Sequence, residues 1–262
     1  MTTLTGRIKS IKQPRGGYIP KAGFVQERYT DAAELHEEEN IHGSNVGMIV
    51  DYMTRFLLTG DKNEAFAIPF MGAVAASMNG YPEMIKAAEK AENQICGLDD
   101  ASIINAYTLS RLDIWYRQTS LAMTYGNVLE DGKMPDKDTI ENVRTMIQRS
   151  VDFFQKEGEL VKAGFDLKGG YSATVRAADG DYLFRKSICD LKVQRQALEK
   201  NASLQIVCYW LMGLHTGRKE FSKIDHLTIY NPRLNIAYRY DVAKMTPELR
   251  ATIEREVLGY EA

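Results

Sequence analysis

The chain has 262 residues, 44% hydrophobic and 26% charged, with a formal net charge of −2. That length can bury a substantial core in one domain or two closely packed ones, and the composition suits a soluble globular protein. The near-neutral balance carries no global nucleic-acid signature, and no hydrophobic run reaches membrane-spanning length.

The N-terminus, Met1 to Lys9, lacks the apolar stretch of a secretory signal, so a cytoplasmic protein with no membrane partner is expected. Residues 1–43 read as extended and loop-rich, broken by Gln13-Pro-Arg-Gly-Gly-Tyr-Ile-Pro20, and carry an acidic stretch from Asp31 to Glu39. Residues 44–157 read as mainly helical, over about 44–58, 62–77, 81–95, 99–117 and 137–156. Ser44 can cap the first of these, Pro82 sits near the start of the third, and Asp99 or Asp100 can cap the fourth. Met123 to Lys137 reads as a surface loop. From Gly164 the pattern turns β-rich up to Val193, a helix follows at about 199–214, two strands flank Asn231-Pro-Arg-Leu-Asn235, and a last helix spans about 246–258.

The informative chemistry lies at Asp190-Leu191-Lys192. At the end of a strand, residues i and i+2 share a face, so a carboxylate and an ammonium can act together. The stretch from Ala178 to Val193 reads as a β-hairpin turning at Arg185-Lys186. If the turn is two residues long, Asp181 faces Asp190, and Asp179 faces Lys192. Opposed carboxylates repel, and a hard cation removes that penalty. Arg-Lys is not a favoured tight-turn pair, and a longer loop would shift the register and leave only a solvated hairpin.

Leu204 to Leu214 is apolar nearly all round and reads as a buried helix carrying Gln205 and Tyr209 one turn apart. On the helix starting near Ser44, Val46, Ile49, Val50, Met53, Phe56 and Leu57 form an apolar stripe. Gly47, Asp51 and Arg55 fall on its other side, where Asp51 reads as a solvated-face residue unless that face lines a cleft. Between Arg185 and Lys223 there are eight Lys/Arg against three acids, a local basic excess that can attract phosphates or simply meet water. Cys96, Cys189 and Cys208 show no C-x-x-C, the four histidines have no zinc-ligand spacing, and no P-loop or Ser-His-Asp motif is present.

Taken in order, Gly47-x-x-x-Asp51, Asp181, Asp190-x-Lys192 and Gln205-x-x-x-Tyr209 resemble the PD-(D/E)XK nuclease superfamily, in its RecB-like and lambda-exonuclease-like branch. That branch carries G-x-x-x-His or an acid on a helix, then an Asp on a strand, (D/E)-x-K on the next strand and Q-x-x-x-Y on a helix. The resemblance covers roughly residues 44–58 and 164–240. It implies an α/β fold with a restriction-endonuclease-like mixed sheet flanked by helices and an N-terminal helical elaboration. Residues 1–43 would be an arm, and residues 44–262 a nuclease-like domain with a helical insertion at about 62–157. It also implies Mg²⁺- or Mn²⁺-dependent phosphodiester hydrolysis, with nucleic acid, DNA first, as the partner.

By the same resemblance Asp51, Asp181, Asp190 and the Leu191 carbonyl would hold metal, Lys192 would act on water or phosphate, and Gln205 and Tyr209 would position substrate. Arg55 and Arg233 are the candidate phosphate contacts. Three cysteines cannot build the four-cysteine iron–sulfur site of some relatives. The alternative is a non-cleaving nucleic-acid-binding or assembly protein on the same fold. A role in bacterial phage defence or DNA processing, with a homo-oligomer or regulatory partner, is compatible with either.

Overall fold

The structure, a computed structural model, describes residues 2–261. The chain divides into two compact units, one of residues up to Thr30 together with Phe154 onward, the other Asp31–Phe153. No helix among the described residues is long and apolar enough to cross a membrane.

The first unit is α/β. Helix α1 (Leu4–Ser10) and strand β1 (Val25–Arg28) come from the N-terminal segment expected to be an extended arm. Thr3 caps α1 by accepting the Gly6 N–H at 3.1 Å, and Leu4 and Ile8 are buried. Seven residues including a glycine make no helix in isolation; the segment is helical because tertiary packing holds its apolar face.

Strands β2 (Leu160–Asp166), β3 (Asp179–Phe184), β4 (Ser187–Leu191), β5 (His226–Asn231) and β6 (Ile236–Asp241) join β1 in one six-stranded sheet of order β1-β6-β5-β4-β3-β2. Only β4 and β5 are parallel; the other neighbours are antiparallel. A parallel pair needs a crossover, and the helix at Lys200–His215 lies within it. Every residue of β4 is buried, as expected of a central strand covered on both faces.

One face of the sheet carries Leu183, Ile188, Leu227, Ile229 and Tyr238, which share a core with Leu204, Val207, Cys208 and Leu211 of the Lys200–His215 helix and with Leu4 and Ile8 of α1. The other face meets Phe154, whose ring lies 4.3 Å from that of Tyr182, and Glu157. The Glu157 side chain is buried and well satisfied. It accepts from Arg239 Nη1 at 2.8 Å and Thr228 Oγ1 at 3.2 Å, lies 2.9 Å from His226 Nε2, and pairs with Arg239 Nη2 at 2.7 Å. Burial alone would raise its carboxyl pKa. The hydrogen bonds from His226 and Arg239 and their charge outweigh that and hold it at about 2.

The second unit is helical: α2 (Gly43–Thr59), α3 (Lys62–Ala65), α4 (Ala67–Met78), α5 (Glu83–Gln94), α6 (Asp100–Arg117), α7 (Thr119–Tyr125) and most of α8 (Lys137–Glu157). The helix expected over 62–77 is interrupted at Phe66. That break puts Pro69 in the first turn of α4, where a missing N–H costs nothing. His42, not Ser44, caps α2, its Nδ1 accepting the Ser44 N–H at 3.2 Å. Asp99 caps α6 as expected. The expected loop after Met123 begins one turn later, because α7 runs to Tyr125 and stops at Gly126 with φ 68°. Helices α9 (Lys200–His215) and α10 (Pro247–Ile253) belong to the first unit.

Helices α4 and α6 cross closely at Gly72, where an added Cβ would sit 2.0 Å from the Leu112 carbonyl oxygen. Gly72→Ala should therefore cost roughly 2 kcal/mol or more of stability. Gly43→Ala, with nothing within 4 Å, should stay within about 0.5 kcal/mol. Denaturant unfolding of both variants reads the difference.

Glu157 sets an acid limit. Its carboxyl pKa falls from 4.5 to about 2 on folding, so its ionised form stabilises the fold above pH 4.5. That contribution, on the order of 3 kcal/mol, is lost as pH falls towards 2. Unfolding free energies measured between pH 7 and pH 2 should show this slope in the wild type and a shallower one in Glu157→Gln.

Candidate active site at the carboxyl end of β4

The β3–β4 hairpin has a two-residue turn, with Tyr182 opposite Cys189 and Leu183 opposite Ile188. Arg185 and Lys186 turn without a positive φ, so this is not one of the favoured hairpin turns. Neighbouring segments hold it: the Arg185 N–H donates to the Glu159 carbonyl at 2.9 Å, and the Lys186 carbonyl accepts from Asp225 N–H at 2.9 Å.

The ladder ends at Tyr182 and Cys189. Extending this register places Asp181 across from Asp190. At the next position the Leu191 N–H donates at 2.9 Å to the Asp181 Oδ2 rather than to a backbone carbonyl of β3. The N–H and C=O of a strand residue point to the same side. The Leu191 carbonyl is therefore aimed to the side where Asp181 sits. On its other edge β3 continues to pair with β2 as far as Asp179, which lies opposite Asp166.

Asp190 is 1% exposed, and neither of its carboxylate oxygens has a hydrogen-bond partner. Lys192 Nζ lies 2.8 Å from its Oδ2, at ion-pair distance but outside hydrogen-bond geometry, with the lysine side chain partly open to solvent. A buried carboxylate served by one ammonium is poorly compensated. An oxygen-seeking cation is the kind of group that would complete it.

Helix α9 supplies the third side. Tyr209 is buried, and its phenol pKa is pushed well above the usual value, first by burial and then by the charges of Asp190, Asp181 and Asp179. It stays a neutral hydroxyl. Gln205 Nε2 donates to the Tyr209 oxygen at 2.8 Å and to Thr5 Oγ1 at 3.1 Å. Both amide protons are thus engaged, the Gln205 oxygen remains an acceptor, and the Tyr209 proton is available towards the carboxylates.

Arg233 sits in the β5–β6 turn, at the same end of the sheet as Lys192 because β4 and β5 run parallel with Leu191 beside Tyr230. Asn231 shapes that turn, accepting the Arg233 N–H at 3.0 Å and donating to the Gln194 carbonyl at 2.8 Å. Asp51 and Arg55 lie on α2, in the helical unit. There they form a two-pronged pair, Nε to Oδ1 at 3.0 Å and Nη2 to Oδ2 at 2.8 Å, and both are half-buried instead of facing open water. Among the described residues, three metal-capable side chains also converge at His36, Asp138 and Glu141, but these are exposed and pair with one another.

Thr5 is the site neighbour that sequence reasoning missed. Nothing in Thr2-Thr3-Leu4-Thr5 marks one threonine among three, and only the packing of α1 on α9 selects it. No protein-family model, curated protein or solved structure matches the chain.

Removing the Thr5 hydroxyl should free one Gln205 amide proton. Thr5→Val is expected to cost about 1 kcal/mol and to shift the Gln205 side-chain amide resonances, while Thr5→Ser restores both. A Gln205 amide unmoved by Thr5→Val, read by ¹⁵N-correlated NMR, would remove Thr5 from the site.

Proposed function

We propose that the chain is a divalent-metal-dependent nuclease of the PD-(D/E)XK type, hydrolysing phosphodiester bonds in nucleic acid, with DNA as the expected substrate. The observation that carries this reading is the Asp190 carboxylate, buried without a hydrogen-bond donor at the end of a central strand, beside Lys192 and next to Asp181. The order of elements supports it: an acid on β3, acid-x-Lys at the end of β4, then Gln205 and Tyr209 on the helix that follows. The mixed α/β sheet is compatible with a restriction-endonuclease-like core.

Asp181, Asp190 and the Leu191 carbonyl fit a Mg²⁺ or Mn²⁺ ion, since all three offer oxygen and Asp190 has no donor of its own. Such an ion lowers the pKa of a bound water and offsets charge on the scissile phosphate. With such an ion bound, the charge of Asp190 would be balanced by the metal as well as by Lys192. Its ammonium, on the same strand face, orients the attacking water or donates to a phosphate oxygen as negative charge builds there. Tyr209 remains a neutral donor through its raised pKa, and Gln205, fixed by Thr5 and Tyr209, presents a carbonyl oxygen for substrate positioning. Arg233, at the same end of the sheet, is the phosphate contact proposed on this unit.

The direct test incubates purified protein with linear, circular and single-stranded DNA and with RNA, in Mg²⁺, Mn²⁺ or EDTA. Metal-dependent cleavage is expected; binding without cleavage in any metal would leave a non-cutting binder on this fold. The variants should separate as follows. Lys192→Ala loses cleavage by a factor of about 10² or more. It also lowers the metal-free melting temperature, because Asp190 loses its counter-ion. Its Mg²⁺-induced thermal shift should be at least as large as in the wild type. Asp190→Ala loses both cleavage and the Mg²⁺ shift. Cleavage at the wild-type rate by Lys192→Ala would overturn the mechanism.

A further inference from the structure

The helical unit contains a cavity of about 480 Å³ between α2, α6 and the segment after Tyr125. Its size is that of small-molecule sites. Helix α6 buries Ile103, Ala106, Leu109, Leu112 and Trp115 in the core, yet turns Ser110, Asp113 and Arg117 to the cavity. The spacing of three and four makes this one polar stripe along the helix.

Asp113 explains the stripe's geometry. It is only 2% exposed, and a charge so placed needs partners. It accepts from the Tyr52 hydroxyl and holds Arg117 Nε at 2.6 Å. The guanidinium is thereby anchored at one nitrogen while its side chain stays half-exposed. Arg111, the other cationic wall residue, is tied to Asp131 at 2.6 Å.

The remaining walls divide by chemistry. Met48, Ile114 and Val128 are apolar, and the Tyr125 ring is 63% exposed beside them. Asn45 and Gln118 bring side-chain amides with no partner among the described residues. An aromatic face and apolar floor suit a planar ring, and amides pair donor and acceptor with a base edge. One anchored arginine suits one phosphate group. The Asp131 carboxylate at the rim disfavours a longer polyphosphate.

We propose that this cavity binds a nucleoside monophosphate, its base against Tyr125 and the Met48–Ile114 floor and its phosphate on Arg117. The inference stands independently of the nuclease reading.

Calorimetric titration of the full chain in EDTA, with AMP, GMP, CMP and UMP, tests it, with the four matching nucleosides, inorganic phosphate and ATP as comparison arms. EDTA and a parallel titration of Asp190→Ala keep the β4 site from contributing. At least one monophosphate should bind saturably and more tightly than its nucleoside, phosphate or ATP. Arg117→Gln should weaken it by about tenfold or more. That variant also uncovers Asp113 and can unfold, so Tyr125→Ala, at an exposed position, gives the second reading: several-fold weaker binding in a folded protein. No saturable binding by any monophosphate at ~5 mM, phosphate binding as tightly as the nucleotides, wild-type affinity in Tyr125→Ala, or loss of binding in Asp190→Ala would each overturn the proposal.

Discussion

The arrangement at the end of β4 depends on one constraint: a carboxylate held inside the protein without a donor. Asp190 stands on a strand buried on both faces, so its charge cannot reach water. Lys192 lies against it because it is the group two residues along on the same strand face. Asp181 stops the backbone ladder by taking the Leu191 N–H on its own side chain. Tyr209 stays protonated because it is buried and because the charges of these carboxylates add to that effect. Each feature follows from placing an acid where a central strand would normally carry a hydrophobe.

The two faces of the same strand make the contrast sharp. Cys189 points towards Glu157, and Asp190 lies one residue on. Glu157 is as deeply buried as Asp190, but Arg239, His226 and Thr228 surround it with hydrogen-bond partners. A buried carboxylate compensated in that way ties elements together. One with only a lysine ammonium beside it keeps most of its lone pairs unmet. Burial alone therefore does not mark a functional acid; the count of donors around it does.

The helical unit repeats the logic in a third form. Asp113 is buried and satisfied, but one of its partners, Arg117, extends to a cavity. A buried acid that spends its charge on orienting an arginine differs both from the closed Glu157 network and from the open Asp190. The wall residues around Arg117 then suggest what that arginine would meet.

Local periodicity determined most of the elements. The stripe of Val46, Ile49, Val50 and Met53, the apolar run of Leu204–Leu214 and the alternation around Asp181 and Asp190 are read from neighbours within a few residues. The helix and strand they announce form where expected. The spacing of Asp190 and Lys192 and of Gln205 and Tyr209 likewise sets which side chains share a face. Tertiary structure decided the rest. The unusual Arg185-Lys186 turn is held by Glu159 and Asp225, residues distant in sequence. The short α1 exists because α9 covers its apolar side, and this brings Thr5 to Gln205. Whether Asp190, Glu157 or Asp113 is satisfied, paired or left open depends on donors from other elements. A sequence states that a carboxylate is present and on which face; only the packed chain states how many donors reach it, because that number is a property of the surroundings and not of the residue.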